Sequence, residues 1–250
     1  MVDATNILKK CAILLDAYKE GKLGNTRMPE EAHPAFSPKD AEFRLAYFTL
    51  PMSLNYQRDS YKLWEAALRT AQDEETAGVF DAARASTMST EQLRNHLTKY
   101  KLALQPNKHI ATWQAIAKTV AQHWGSFQGL INAAHADYAQ LRQLMQQTHK
   151  KAFPYISGPK LFNYWCFILQ AYGGVKLHNA TLIEIAPDTH VTQCSVRLGV
   201  ITPQEADTLS KEDIAARWRE LLKDSRMTPI EMHPPLWFWS RNNFQFQLPE

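Results

Sequence analysis

The chain consists largely of segments in which apolar residues recur every three or four positions, separated by short polar breaks. This spacing places apolar side chains on one face of an α-helix. Alternation with a period of two, the pattern of a half-buried strand, is nearly absent, and "TLIEIAP" from Thr181 is the single short candidate. We therefore predict an all-α fold. The predicted helices cover residues 5–19, 38–50, 60–73, 90–101, 106–124, 136–150, 159–172, 191–198, 203–209 and 211–223.

Helix start signals support several of these segments. Ser89 and Thr202 each open a capping box, in which two side chains satisfy free backbone amides at the helix start. Ser210 opens a weaker version, and Pro38 occupies a first helical position. The breaks between helices do not resemble flexible interdomain linkers. We therefore predict one compact domain over residues 1–250, built as two helical lobes with a cleft between them.

Composition narrows the class of protein. Of the 250 residues, 45% are hydrophobic and 21% are charged, which is typical of a globular chain. No apolar run approaches the length of a membrane span, and "MVDATNILKKCAILLDAYKEG" lacks the features of a signal peptide. We expect no membrane partner and a cytoplasmic, nucleoid-associated or nuclear location.

Three cysteines, Cys11, Cys166 and Cys194, lie far apart within apolar helical patterns. No Cys-x-x-Cys pair exists, so a zinc or iron–sulfur site made of cysteines is not expected. We interpret each cysteine as a buried, inert thiol, which fits a reducing compartment. The histidines show no paired metal spacing either, and we expect neither a metal nor a cofactor.

A basic turn joins two of the predicted helices. The formal net charge is only +3, but His149–Lys151 and Lys160 bracket the turn "FPYISG". Gly158 can adopt backbone angles closed to other residues, and Pro159 suits a first helical position. The amides of that first turn can then hold a phosphate oxygen. A solvated helix end explains the same charges equally well.

Two residues near this turn carry candidate chemistry. Lys160 lies in the first helical turn, where the helix dipole disfavours a solvated ammonium group and, together with burial, would make the amine a better nucleophile. Asp188 lies 28 positions later, at the start of another predicted helix. An aspartate there is also a good helix N-cap. Considered singly, each residue has an ordinary structural interpretation.

Together with their neighbours, these residues resemble a known family. "FPYISGPK" followed by "APDTHVTQCSVRLGV" is similar to the helix-hairpin-helix and Gly/Pro-Asp signature of the DNA glycosylase superfamily, which includes endonuclease III and the 8-oxoguanine glycosylases. The long spacing resembles the archaeal 8-oxoguanine glycosylase branch. Weaker likeness to that branch extends over residues 40–243, in "FRLAYFTLPMSLNYQRDSYKLWEAA" and "MTPIEMHPPLWFWSRN".

The resemblance implies a set of roles. The protein would be a monomeric, two-lobed glycosylase with a helix-hairpin-helix within residues 136–172, bound to double-stranded DNA with a damaged base. Lys160 matches the family's catalytic lysine and Asp188 its catalytic aspartate. The residues expected in the base pocket are Trp64, Tyr164, His233 and Trp237. The residues expected at the DNA backbone are Lys150, Lys151, Ile156, Gly158 and His190.

The implied activity is that of a bifunctional DNA glycosylase and apurinic/apyrimidinic-site lyase in base excision repair, acting on an oxidised base such as 8-oxoguanine. Lys160 would attack C1′ and form a Schiff base, while Asp188 would stabilise positive charge on the sugar and help deprotonate the lysine. Three features depart from the family pattern, the first being that no residue clearly matches the N-terminal glutamine with which the archaeal branch reads the base. The hairpin lacks the first glycine of the common "LPGVGPK" form and is one residue longer, and His233 stands where the archaeal branch has an acid.

Two other functions remain open. The queuosine-salvage type of nucleoside or nucleotide N-glycosidase has a similar helical layout, and "YFTLPMSLNYQ" and "WGSF" resemble it; there an aspartate performs the chemistry and DNA is not bound. A helix-hairpin-helix can also bind DNA without catalysis. Borohydride trapping on damaged DNA, base release from a nucleoside, or duplex binding alone would distinguish the three.

Overall fold

The computed structural model describes residues 4–24 and 27–249. These residues form helices joined by loops and contain no β-strand, which confirms the predicted all-α class. The segment "TLIEIAP" is not a strand, because its first two residues belong to the short 3₁₀ turn Ala180–Leu182 and the rest is irregular backbone. The α-helices are α1 (Ala4–Lys19), α2 (Ala41–Ser53), α3 (Ser60–Gln72), α4 (Ala82–Thr87), α5 (Thr90–Lys99), α6 (Pro106–Trp124), α7 (Phe127–Ala133), α8 (Tyr138–Gln143), α9 (Pro159–Ala171), α10 (Thr189–Leu198), α11 (Pro203–Thr208), α12 (Lys211–Leu222) and α13 (His233–Arg241).

Local signals fix many of these boundaries. The capping boxes at Ser89, Thr202 and Ser210 are present, with the side chains and amides bonded reciprocally as predicted. The predicted helix over 136–150 is present in shortened form at 138–148. His135 and Ala136 have positive φ, α8 starts after the cap Asp137, and a π-helical turn follows at Leu144–Thr148. No helix in the described part of the chain is long and apolar enough to cross a bilayer.

The chain divides into two compact units. The terminal unit comprises Met1–Met28 and Thr181–Glu250, and the central unit comprises Pro29–Ala180. The terminal unit therefore contains α1 and α10 to α13, and the central unit contains α2 to α9. The single glycosylase domain and the cleft between lobes stay predictions.

The core of the central unit is rich in aromatic side chains whose polar atoms are satisfied. Trp165 of α9 is buried and donates its indole N–H to Thr49 Oγ1 at 3.0 Å. Trp113 of α6 donates to the carbonyl of Val79 at 3.0 Å. Glu42 accepts two amides at the start of α7, each at 2.8 Å, and so links this short helix to α2. The Trp165–Thr49 bond holds α9, which carries Lys160, against α2.

The terminal unit joins the two ends of the chain. Helix α13 packs against α10 and α1, and the rings of Tyr18 and Phe238 stack with centroids 5.9 Å apart. Trp218 of α12 donates to Ser195 Oγ on α10 at 2.8 Å. The three cysteines are free and buried, as predicted, and burial raises the pKa of the Cys11 thiol to about 12.

Candidate functional site

The predicted hairpin lies entirely within the central unit. After the π-helical turn, residues Lys150–Ala152 form one turn of 3₁₀ helix, and α9 begins at Pro159. The segment between them is held by its own backbone, since the Ser157 amide donates to Phe153 O at 3.1 Å and the Gly158 amide to Tyr155 O at 2.9 Å. Gln146 anchors the segment to the preceding turn by donating to Ser157 O at 3.0 Å.

The residue with a positive φ in this turn is Tyr155 and not Gly158. Gly158 has φ −65° and ψ 143°, an extended conformation open to any residue, so the expectation that it uses glycine-specific angles is wrong. Tyr155 instead has φ +62°, which is unfavourable for a residue with a side chain. A Cβ at Gly158 would lie 3.1 Å from Tyr155 O. Position 158 is therefore restricted by space and not by its backbone angles.

The amides of the turn are partly engaged within it. Ile156, whose side chain is buried, donates its amide to Pro154 O at 2.7 Å. The Gly158 amide is also used inside the turn, as described above. The start of α9 has no side-chain cap, so the amides of Lys160 and Leu161 point out from the first turn without one. Those two amides, more than the amides of Ile156 and Gly158, suit a phosphate oxygen.

Lys160 is exposed at the first turn of α9, so its expected burial is wrong. Lys150 and Lys151 are exposed on the preceding 3₁₀ turn, and Ser157 Oγ bonds to the Lys150 carbonyl at 3.3 Å. These three lysines give the hairpin a cationic surface that is open to solvent.

Sequence reasoning missed three further members of this surface. The rings of Tyr56 and Tyr155 lie 5.7 Å apart, and Lys108 places its ammonium nitrogen 5.0 Å from each ring centroid. Tyr56 is 41% exposed, which is unusual for a large aromatic side chain. The tyrosine at position 155 of the hairpin motif was the one sequence signal of this cluster. Its partners, Tyr56 and Lys108, lie far from it in the sequence and could not be predicted. We call Tyr56, Lys108, Lys150, Lys151, Tyr155 and Lys160 the hairpin surface.

Asp188 lies in the terminal unit and caps α10. Its Oδ1 accepts the Val191 amide at 2.9 Å, which confirms the N-cap interpretation. The side chain is half-buried, and no hydrogen bond reaches Oδ2 from the described residues. Thr192 donates its hydroxyl to the Asp188 carbonyl at 2.6 Å and further fixes the cap. One carboxylate oxygen therefore holds the helix while the other remains accessible to a further partner.

His190 is oriented by a short polar chain. Ser240 donates its hydroxyl proton to Gln193 Oε1 at 2.8 Å, so the contact of 3.0 Å between Ser240 Oγ and His190 Nδ1 places a proton on Nδ1. In the neutral imidazole, Nε2 is then the acceptor. The ring meets Trp237 edge to face at 5.6 Å.

The predicted base-pocket residues are distributed over both units. Trp237 and His233 lie on α13 in the terminal unit, and both are nearly fully buried. Arg241 places its guanidinium 4.9 Å from the Trp237 ring centroid. Trp64 is 1% exposed and packs 5.8 Å from the rings of Tyr47 and Phe48 in the central unit. Core packing therefore explains the position of Trp64.

Tyr164 leads to a residue that sequence reasoning missed. Its hydroxyl donates to Glu30 Oε1 at 2.6 Å. Glu30 is 1% exposed, and desolvation raises the pKa of this carboxyl to about 7 although the Tyr164 hydrogen bond lowers it. The segment of Glu30 also packs against α3, which carries Trp64. Tyr164 on α9 and Trp64 on α3 therefore both lie on helices that contact the segment containing Glu30. The sequence shows only two adjacent glutamates, Glu30 and Glu31, in a predicted loop, and this pattern does not predict the contact with Tyr164.

No protein-family model matches the chain, and no curated protein sequence matches it. The resemblance to the DNA glycosylases therefore rests on the motif residues. No group of three or more His, Cys, Asp or Glu side chains is placed to hold a metal ion within residues 4–24 and 27–249.

Proposed function

We propose that this protein is a bifunctional DNA glycosylase and apurinic/apyrimidinic-site lyase that acts on double-stranded DNA containing an oxidised base. The observation that carries the proposal is the placement of Lys160. It is exposed in the first turn of a helix that opens with Gly-Pro and has no side-chain cap. A lysine nucleophile needs both access to the sugar and a way to hold the adjoining phosphate, and this helix start is suited to both.

The hairpin surface supports binding to a nucleic-acid backbone. Lys108, Lys150 and Lys151 are exposed, and the first-turn amides of α9 are oriented as phosphate donors. Such contacts fix the position of a duplex without reading its sequence. Tyr56 and Tyr155 add aromatic faces that can stack on bases.

The proposed reaction follows from the chemistry of an amine at C1′. The damaged base is extruded from the stack, because C1′ cannot be reached within it. The Lys160 ammonium group first loses one proton to water. The neutral Nζ then forms a bond to C1′ as the N-glycosidic bond breaks, and the base leaves with the electron pair of that bond and takes up a proton that the new secondary ammonium group releases. Ring opening gives an imine between Lys160 and C1′. Loss of a C2′ proton then expels the 3′ phosphate by β-elimination.

In the proposed reaction, Asp188 stabilises the positive charge that develops on the sugar. The leaving base creates positive charge on the sugar, and an ionised carboxylate stabilises that charge. The oxygen of Asp188 that does not cap α10 is the one assigned to this role.

Borohydride trapping tests the proposal, because the reductant converts an imine into a stable amine that links protein to DNA. The full chain is incubated with a panel of duplexes that carry 8-oxoguanine, other oxidised bases or an abasic site. We expect covalent trapping and strand cleavage with at least one duplex. Lys160→Gln should abolish both and leave duplex binding within about twofold of the original chain.

Lys39→Gln is the matched control, since Lys39 is also exposed in the central unit but lies outside the hairpin surface. It should trap DNA as well as the unaltered chain does. Trapping by Lys160→Gln at the original rate would contradict the assignment of the nucleophile. Failure of the unaltered chain on every duplex would contradict the lyase itself.

One observation favours a second candidate, a nucleoside or nucleotide N-glycosidase. Lys160 is exposed, so burial does not make its amine more nucleophilic. In the second candidate Asp188 alone assists cleavage of the glycosidic bond and water is the nucleophile. Release of a free base from a nucleoside, without trapping and without dependence on Lys160, would support this function.

A further inference from the structure

A pocket of about 660 Å³ lies beside α10 in the terminal unit, and the proposed chemistry does not use it. Its wall is formed by one side of α10, by α11, by the start of α12 and by Phe244 near the C-terminus. This volume is in the range of small-molecule sites. The charged side chains of the wall are Arg197, Asp207 and Lys211.

The guanidinium group of Arg197 forms no ion pair with an acidic side chain of the described residues. Its guanidinium carbon lies 4.6 Å from the ring centroid of Phe244 and 5.8 Å from that of Trp239. Its side chain makes no hydrogen bond or ion pair with any described residue. A guanidinium held by ring contacts keeps its N–H donors for another partner, and their fork geometry suits a carboxylate or phosphate.

The backbone holds Phe244 in the wall. Asn243 and Phe244 have φ of +54° and +56°, which is costly for residues other than glycine. The Phe244 amide donates to Trp239 O at 2.8 Å, and the two rings meet edge to face at 4.9 Å. The Trp239 indole in turn donates to Phe246 O at 2.8 Å. These contacts fix the apolar wall and Arg197 before any ligand arrives.

Lys211 supplies the second cation. Its ammonium group donates one proton to Thr192 Oγ1 at 3.0 Å and retains two. Asp207 is the only acid among the described residues of the wall, and its carboxylate pairs with neither cation, so the wall carries one net positive charge. Val196 and Phe244 provide apolar surface between the charged groups.

We propose that this pocket binds a small planar anion, namely an aromatic ring that carries a carboxylate or a phosphate monoester. The anionic group pairs with Arg197 and Lys211, and the ring packs against Val196 and Phe244. The proposal does not depend on the glycosylase function, because no residue of the proposed reaction lines the pocket.

Calorimetric titration of the full chain tests the proposal with phenyl phosphate and benzoate as probes. Inorganic phosphate lacks the aromatic ring and phenol lacks the anionic group, so each should bind about tenfold more weakly or not at all. Arg197→Gln and Lys211→Gln should each weaken binding by about fivefold, and Asp207→Asn should strengthen it by a similar factor. Arg226→Gln, which replaces a charge of the same unit outside the pocket, should have no effect.

Val196→Trp places a bulky ring where the ring of the ligand would pack, changes no charge and should abolish binding. Thermal unfolding of each variant identifies those that have lost the fold, and only folded variants are compared. Binding of either probe with this pattern supports the proposal, and the tighter probe identifies the preferred anion. The proposal is overturned if neither probe binds at millimolar concentration, or if Lys211→Gln and Val196→Trp bind as the original chain does.

Discussion

A single carboxylate, Asp188, serves as a helix cap and, in the proposed reaction, as a charge stabiliser. The cap uses Oδ1, which accepts the Val191 amide. Capping requires an acceptor oxygen but not a negative charge, because asparagine caps helices about as well as aspartate. Stabilisation of a cationic sugar requires the charge. The two roles can therefore be separated by substitution.

We expect Asp188→Asn to keep the free energy of unfolding within about 0.5 kcal/mol while abolishing trapping on damaged DNA. Asp188→Ala should lose both the cap, about 1 kcal/mol, and the trapping. Urea unfolding and borohydride trapping measured on the same samples check this. Asp59→Ala is the control, since Asp59 caps α3 by accepting the Lys62 amide at 2.9 Å and should lose stability without losing activity. Full trapping by Asp188→Asn would remove Asp188 from the reaction.

Glu30 is a second residue whose environment has a measurable consequence. Burial raises its pKa from 4.5 to about 7, against the Tyr164 hydrogen bond and its own backbone amide, and the charge of Glu31 raises it further. Between about pH 4.5 and about pH 7, Glu30 is therefore protonated in the folded chain and ionised in the unfolded chain. Stability from this group is complete below pH 4.5 and declines as pH rises toward 7.

Glu30→Gln carries no titrating group, so its stability should decline less with pH than that of the original chain. Relative to the original chain, the variant should gain about 3 kcal/mol in unfolding free energy between about pH 4.5 and about pH 7.5. Urea unfolding at several pH values measures the difference. The exposed Glu91→Gln serves as control and should follow the original chain. Parallel pH profiles for Glu30→Gln and the original chain would show that Glu30 does not titrate in this window.

At the scale of elements, the hairpin surface combines a helix start with side chains from separate segments. Lys150 and Lys151 come from the 3₁₀ turn before α9, and Lys108 comes from the first turn of α6. Binding of a duplex to such a surface releases counterions, so affinity falls steeply with salt. The slope counts the phosphates that the lysines neutralise.

Replacement of Lys150 and Lys151 by alanine should reduce the slope of log K against log salt by up to about 1.8, or about 0.9 for each phosphate that the variant no longer neutralises. Fluorescence anisotropy with an undamaged duplex over a range of salt concentrations measures this slope. Lys39→Ala with Lys118→Ala replaces two exposed lysines elsewhere in the central unit and should leave the slope unchanged. An unchanged slope for the hairpin variant would place the DNA on another surface.

Elements were predictable where their signals are local. The bounds of α6, at Pro106 and Trp124, follow from a first-turn proline and a glycine after the last residue. Helix α7 was missed although Ser126 caps it locally, and its second support, the carboxylate of Glu42, lies 85 residues away from Phe127. The Glu30–Tyr164 bond joins residues 134 positions apart and has no sequence signal. In the candidate site, the cap role of Asp188 was predictable, whereas the exposure of Lys160 depends on tertiary packing.

At the scale of the whole molecule, the two units differ in how the chain builds them. The terminal unit needs both chain ends, because α1 packs against α13. The central unit is one continuous stretch, Pro29–Ala180, with an aromatic core of its own that includes Trp64, Trp113 and Trp165. It contains the hairpin surface and Lys160, whereas Asp188 belongs to the terminal unit. The binding and catalytic parts of the proposed function can therefore be tested on different lengths of chain.

We expect a fragment of residues 29–180 to fold alone, because its buried tryptophans pack against residues of the same stretch. It should unfold cooperatively in urea when followed by tryptophan fluorescence. It should bind an undamaged duplex with nearly the salt slope of the full chain, since Lys108, Lys150 and Lys151 are all retained. Trapping on damaged DNA should disappear with Asp188. Trapping by a folded fragment at the full chain's rate would show that Lys160 acts without Asp188, and a folded fragment that fails to bind DNA would contradict the hairpin surface.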